Sequence, residues 1–177
     1  MARPLRVLFV EDKEKDVELL ARELKRGGYD VVHERVDTPE AFGAALDRGG
    51  WDLILCDYVM PRFGTAAALG LLKEKNVDLP FIVVSGTVSE ETAVMALRSG
   101  AHDFVSKEKL ARLNPAIERE LGEAKMRRDR SATDEALRSV NARFHAIFND
   151  SPLAICVADV AGRIVSVNQS ACKMFGV

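Results

Sequence analysis

Short apolar runs and helical stripes alternate along the first 121 residues. Leu5–Val10 is rich in branched side chains and ends in acid, which predicts a strand buried on both faces. From Lys13 to Arg26, Val17, Leu20, Ala21 and Leu24 recur at helical spacing, and Gly27-Gly28 supplies the stop. Val31–Val36 predicts a second strand. Pro39 follows Thr38, a candidate N-cap, and opens a helix with Ala41, Phe42, Ala45 and Leu46 on its inner face. The alternation then repeats, with strands at Asp52–Cys56, Pro80–Ser85 and Asp103–Ser106. Helices are expected at Thr65–Lys75, at Glu90–Ser99 with Gly100 as its stop, and from about Leu110. Five strands alternating with five helices predict a doubly wound α/β fold, a parallel sheet covered on both faces through right-handed crossovers. Strand order 2-1-3-4-5 would put a ligand site beyond the carboxyl ends of strands one and three.

After Leu121 the pattern changes. Glu123–Arg138 is dominated by charge and predicts a solvated helix. Leu137, Val140, Phe144 and Ile147 follow an a/d-like repeat, while Ile117, Leu121 and Ala124 lie on another phase. The repeat is too short and broken for a sustained coiled coil. It suits a linker helix over residues 122–143 that pairs with its own copy in a dimer. From Ser151-Pro152 a new segment opens, with strands expected at Leu153–Val157 and Arg163–Val167, a turn at Asp159–Gly162 and an amphipathic piece at Gln169–Phe175. Two strands and a turn of helix cannot make a domain, so the segment reads as the start of one.

Composition narrows the function classes. Of 177 residues, 47% are apolar, enough for a core without metals or disulfides. A net charge of -2 argues against nucleic acid as a partner. The three cysteines, Cys56, Cys156 and Cys172, have no short C-x-x-C spacing, which fits a reducing, cytoplasmic setting. Met1–Arg6 leads into an apolar stretch broken at Glu11-Asp12, too short for a signal peptide or a membrane span.

The chemistry lies at the predicted strand ends. Glu11 and Asp12 close strand one and Asp57 closes strand three, so three carboxylates would converge at one sheet edge. Like charges so close raise one another's pKa and destabilise a fold unless a cation sits among them. Carboxylates, a backbone carbonyl and water form the oxygen set that Mg²⁺ prefers. Lys107, ending strand five, would add a fixed positive charge, and Ser85, ending strand four, a hydroxyl. Such a group can transfer a phosphoryl unit: an aspartate attacks phosphorus and makes an acyl phosphate.

Glu11-Asp12, Asp57-Tyr58-Val59-Met60-Pro61, Ser85-Gly86-Thr87 and Phe104-Val105-Ser106-Lys107 together resemble the receiver domain of response regulators in order, spacing and strand position. The resemblance covers roughly Leu5 to Leu121, a receiver domain over residues 1–121 with a flavodoxin-like fold. It implies that Asp57 is phosphorylated from a phosphohistidine on a histidine kinase or histidine phosphotransfer protein. It implies that Glu11, Asp12, Asp57 and the Val59 carbonyl hold Mg²⁺, that Ser85 and Lys107 bind the phosphoryl group, and that Phe104 with Ser85 forms the switch. Phe104 stands where Tyr is frequent, Glu108 where Pro is usual, and Val59 is apolar at a position governing water access. A haloacid-dehalogenase reading of Asp57 would need a second Asp where Val59 stands. His33, His102 and His145 lack the context of a phosphoacceptor histidine.

Ile147-Phe148-Asn149-Asp150-Ser151-Pro152-Leu153, with Asp159, Gly162, Val167-Asn168 and Phe175-Gly176, is similar to the opening of a PAS sensor domain over residues 144–177. This implies an amino-terminal piece of a longer signalling protein. The receiver would then serve a PAS-containing output, or regulate a histidine kinase or diguanylate cyclase further along. A phosphorylation-independent interaction module is the competing expectation. Such a module has no need to keep the acids, hydroxyl and lysine together.

Overall fold

The computed structural model describes residues 2–86 and 89–176, Glu90 by its backbone alone. Thr87 of the Ser85-Gly86-Thr87 element and Val177 at the end of the tail lie outside the described residues. The chain divides into two compact units, residues 1–126 and 127–177.

The first unit alternates strand and helix: β1 (Arg3–Val10), α1 (Glu14–Arg26), β2 (Tyr29–Val36), α2 (Pro39–Arg48), β3 (Leu53–Asp57), α3 (Thr65–Glu74), β4 (Phe81–Ser85), α4 (Glu90–Ser99) and β5 (Asp103–Ser106). The strands form one parallel sheet in the order β2-β1-β3-β4-β5. Side chains alternate across it, as period two requires. Leu5, Val7, Phe9, Leu53, Leu55, Ile82 and Val84 face one apolar cluster with Val17, Leu20 and Leu24 of α1. Leu8, Val10, Ile54, Cys56, Phe81, Val83 and Phe104 face another with Phe42, Leu46, Leu69, Leu72 and Ala96 of α2, α3 and α4. Each face is therefore sealed by its own helices.

Strand and helix ends differ from the sequence expectation where local pairing adds a residue. β1 begins at Arg3, because Arg3 and Pro4 pair with Tyr29 and Asp30. The Pro4 ring nitrogen would face β3, whose pairing with β1 begins only at Val7, so its missing N–H costs no ladder bond. Asp57 belongs to β3 rather than following it. Gly27 permits a close approach: a Cβ there would meet Asn114 at 2.3 Å, and the Asn114 Nδ2 donates to the Glu23 carbonyl at 3.0 Å.

The helix expected from about Leu110 starts later. Lys107–Arg112 form a 3-10 turn in which Lys109 is non-helical, and α5 then runs unbroken from Leu113 to Asp150, 38 residues. The Ser106 hydroxyl accepts from the Glu108 backbone N–H at 3.1 Å and caps the turn. Proline at 108 would lack that donor. Gly122 does not interrupt α5, since one glycine costs only about 1 kcal/mol.

In the second unit β6 (Cys156–Ala158) and β7 (Ile164–Val167) pair antiparallel, and α6 (Gln169–Phe175) follows. The first of these strands is shorter than the expected Leu153–Val157 and lies further along the chain. Asn168, fully buried, ties the segment together. Its Oδ1 accepts from the N–H groups of Ile155 and Ala171, and its Nδ2 donates to the carbonyls of Phe148 and Leu153. Among the described residues no helix is long and apolar enough to cross a membrane.

Candidate functional site

β1, β3, β4 and β5 end at the same sheet edge, which determines what can meet there. Carboxylate oxygens of Glu11, Asp12 and Asp57 lie within 4.8 Å of one another. Lys107, the first residue after β5, reaches across with its Nζ at 2.8 Å from Glu11 Oε2, 2.5 Å from Asp16 Oδ2 and 3.4 Å from Asp57 Oδ2. Lys13, Asp16, Asp57, Val59, Ser85, Gly86 and Lys107 line a cleft of about 230 Å³. Asp12 lines the neighbouring hollow with Asp37, Met60, Pro61 and Arg62. The strand-end residues singled out from sequence thus come together. Phe104 does not line the cleft; it is buried in the apolar cluster beneath α2, α3 and α4.

The carboxylates are not equivalent. Glu11 is buried, and both its oxygens are engaged, one by the Lys13 backbone N–H at 3.1 Å and one by Lys107. Burial pushes its carboxyl up from the ordinary value, the bonds from Lys107 and Lys13 offsetting only part of this. Burial pulls Lys107 the other way, but hydrogen bonds to Asp16 and Glu11 and the charge of Asp57 outweigh it, raising the ammonium to about 12. The lysine is therefore a permanent cation at physiological pH.

Asp57 is held from behind. Its carbonyl accepts from the Thr65 hydroxyl at 3.3 Å and from the Cys56 thiol at 3.2 Å. Cys56 is buried strand filling, its thiol pushed up to about 12 by that burial. Val59 is 59% exposed at the mouth of the cleft. Ser85 is buried in its wall.

A divalent cation fits these residues. Asp12 Oδ1 is buried and has no hydrogen-bond partner, which leaves an acceptor beside Asp57 that a cation would satisfy. All the side chains are oxygen donors, the set for Mg²⁺. Two residues that contact the site, Asp16 beside Lys107 and Thr65 behind Asp57, escaped the sequence reading. An acid in the first turn of a helix, like Asp16, reads as a complement to the helix dipole. Thr65 reads as an ordinary start to α3.

Comparison with known proteins gives the same picture from outside. Residues 7–118 match the response regulator receiver domain model, and residues 142–177 match a PAS domain model. The chain is 34% identical over 116 residues to the uncharacterized transcriptional regulatory protein YkoG of Bacillus subtilis, covering 63% of this chain and 50% of that protein. It is 31% identical over 120 residues to the phosphate regulon transcriptional regulatory protein PhoB of Pseudomonas aeruginosa, covering 64% of this chain and 52% of that one. The chain thus spans about half the length of these relatives. Among solved structures, NtrX from Brucella abortus superposes with a TM-score of 0.62 at 29% identity, over 75% of this chain and 30% of that one. The beryllofluoride-activated NtrC4 receiver domain dimer gives 0.58 at 28% identity, over 67% of this chain and 98% of that one.

Proposed function

Because the chain belongs to the response-regulator receiver family, its residues 7–118 matching that domain, we propose that it accepts a phosphoryl group on Asp57 from a phosphohistidine. Receiver domains are regulatory rather than ordinary enzymes, and they bind Mg²⁺ at an acidic pocket. In this reading an oxygen of the Asp57 carboxylate attacks phosphorus. The P–N bond to the donor imidazole breaks, and its electron pair stays on nitrogen. Bound Mg²⁺, held by Asp12, Asp57 and the Val59 carbonyl with Glu11 behind them, would neutralise charge on the transferring group. Thr65 fixes the Asp57 backbone. Lys107 supplies a cation that is always charged, and Ser85 offers a hydroxyl from β4 to a phosphoryl oxygen. The donor is a histidine kinase or histidine phosphotransfer protein.

The observation that carries the reading is Lys107 within ion-pair distance of Asp57 and Glu11 at the end of a different strand. A surface for partner binding alone does not require a half-buried ammonium among carboxylates, which argues against a phosphorylation-independent module. Incubation with acetyl phosphate and Mg²⁺, followed by intact mass, should add one phosphoryl group to the wild type and none to Asp57→Asn. An unmodified wild type would overturn the proposal.

For the output, we propose that Ser85 and Phe104 shift on phosphorylation and alter the surface of α4, β5 and α5. The effect would pass along α5 to the PAS-matching segment. Leu137, Val140, Phe144 and Ile147 are all exposed along α5, which favours pairing with a second copy. Light scattering should find a dimer; a monodisperse monomer would count against it.

A further inference from the structure

We propose that Asp16 is a positioning residue that competes with the phosphoryl group for Lys107, holding the ammonium back while Asp57 is unmodified. The inference rests on the reading of Asp57 as phosphoacceptor and goes beyond it, since Asp16 belongs to none of the four elements that carry the family resemblance. An ammonium has three N–H donors. The two short contacts of Lys107 go to Asp16, at 2.5 Å, and Glu11, at 2.8 Å, while Asp57 is left at 3.4 Å. Phosphorylation would replace the single carboxylate charge of Asp57 by a phosphoryl dianion, one further negative charge in the cleft that Asp16 also lines. Attraction for Lys107 and repulsion of Asp16 would then act together.

Burial decides which contact gives way. The Glu11 side chain is 2% exposed and cannot lose its cation without stranding a buried charge. The Asp16 side chain is 27% exposed, so water can replace the lysine. Asp16 sits in the first turn of α1, where its backbone N–H donates to the Lys13 carbonyl at 3.1 Å, and the carboxylate can turn outward without moving the helix. The exchange of Asp16 for phosphoryl oxygen is therefore the easiest rearrangement open to Lys107.

The test uses beryllofluoride as the phosphoryl mimic, titrated with Mg²⁺ into the whole chain and followed by fluorine NMR. Asp16→Asn, which keeps the shape, and Asp16→Ala should each tighten binding about threefold, the scale of a partly exposed ion pair. Asp16→Glu should return toward the wild type. A structure of the wild-type complex should show Lys107 Nζ on the mimic and beyond about 4 Å, the ion-pair limit, from Asp16. Unchanged or weaker binding in both charge-removing variants, or a complex in which Lys107 keeps Asp16, overturns the inference. Wild-type protein that binds no mimic, or binds it equally as Asp57→Asn, overturns the Asp57 reading instead.

Discussion

Residues 3–126 and residues 127–176 use similar apolar side chains and dispose of them differently. In the first unit, five strands present alternating side chains to helices on two faces, and both apolar clusters close. In the second, a two-stranded hairpin and the two-turn helix α6 leave Ile164, Val165, Met174 and Phe175 exposed. A lone hairpin has no second layer to bury against, whereas a sheet with helices on both sides has two. The polar chemistry follows the same division. The first unit can hold Glu11 and Asp57 buried beside Lys107, because the surrounding fold keeps the cation in place. The second is organised by one neutral side chain, Asn168. One region carries its chemistry inside itself; the other offers surface.

The most decisive way to break that contrast is to perturb each region and look for consequences in the other. Asp57→Asn should abolish acyl phosphate formation altogether. Val140→Glu and Ile147→Glu, on the exposed side of α5, should leave the initial phosphorylation rate by acetyl phosphate within about twofold of wild type, as surface changes away from a site do. Intact mass over time reads both. A large loss in the α5 variants would mean that the first unit does not carry the chemistry alone.

Removing the cation comes next in size. In chelator, Lys107→Met should cost about 3 kcal/mol in urea unfolding near pH 8, because it strands buried carboxylates. The pH dependence has a definite sign. Lys107 is raised from 10.5 to about 12 in the folded protein, so its stabilisation is full below 10.5 and fades as pH rises to about 12. That rise corresponds to about 2 kcal/mol. Glu11 is raised above its ordinary 4.5, so the folded state takes up its proton first and ionised Glu11 weighs against folding above that range. The deficit of the variant should therefore peak near neutrality and shrink toward both extremes. A deficit flat from pH 5 to pH 11.5 would rule out charge as its cause.

Much of this region was legible before any coordinates. Leu5, Val7 and Phe9 against Leu8 and Val10 already encode two sheet faces, and the alternation of strands with helices encodes a parallel sheet. Its order 2-1-3-4-5 is an expectation for a small fold of this kind and not a consequence of the alternation. Glu11, Asp12, Asp57, Ser85 and Lys107 could be named because strand ends in a parallel sheet converge at one edge. Asp16 was not legible, since its partner lies 91 residues away and arrives only through β5. The 3-10 turn at Lys107–Arg112 was missed because Leu110 fits a helical stripe, while Lys109 leaves helical geometry. Asn168 could be noticed as part of a motif, but its four partners come from residues as distant as Phe148, 20 positions away. Polar bonds across such separations have no periodicity to announce them.

Asn168→Ala should therefore damage the second region selectively. It removes four hydrogen bonds at a fully buried position and leaves backbone groups of Ile155, Leu153 and Phe148 without that partner. The expected cost is about 2–3 kcal/mol, the penalty for stranding buried polar groups. Amide exchange should show lost protection across β6, β7 and α6, with the amides of β1, β3 and β4 unchanged. Loss of protection in those central strands would mean that the two units unfold together.

The smallest effect comes from the corresponding position in the first region. Ser106, like Asn168, accepts from a backbone N–H at the start of a helical turn, but it makes that one bond, to Glu108, on a partly exposed surface. Water can replace the hydroxyl there, as it cannot at Asn168. Ser106→Ala should cost about 1 kcal/mol, the usual value of an N-cap. Its more specific consequence concerns Lys107, the residue between β5 and the capped amide. With the turn loosened, the lysine loses part of its fixed approach to Glu11 and Asp57. Combining Ser106→Ala with Lys107→Met should then cost less than the sum of the two, since the cap has no cation left to place. Strict additivity in urea unfolding would show that Ser106 stabilises the turn without helping to position the charge.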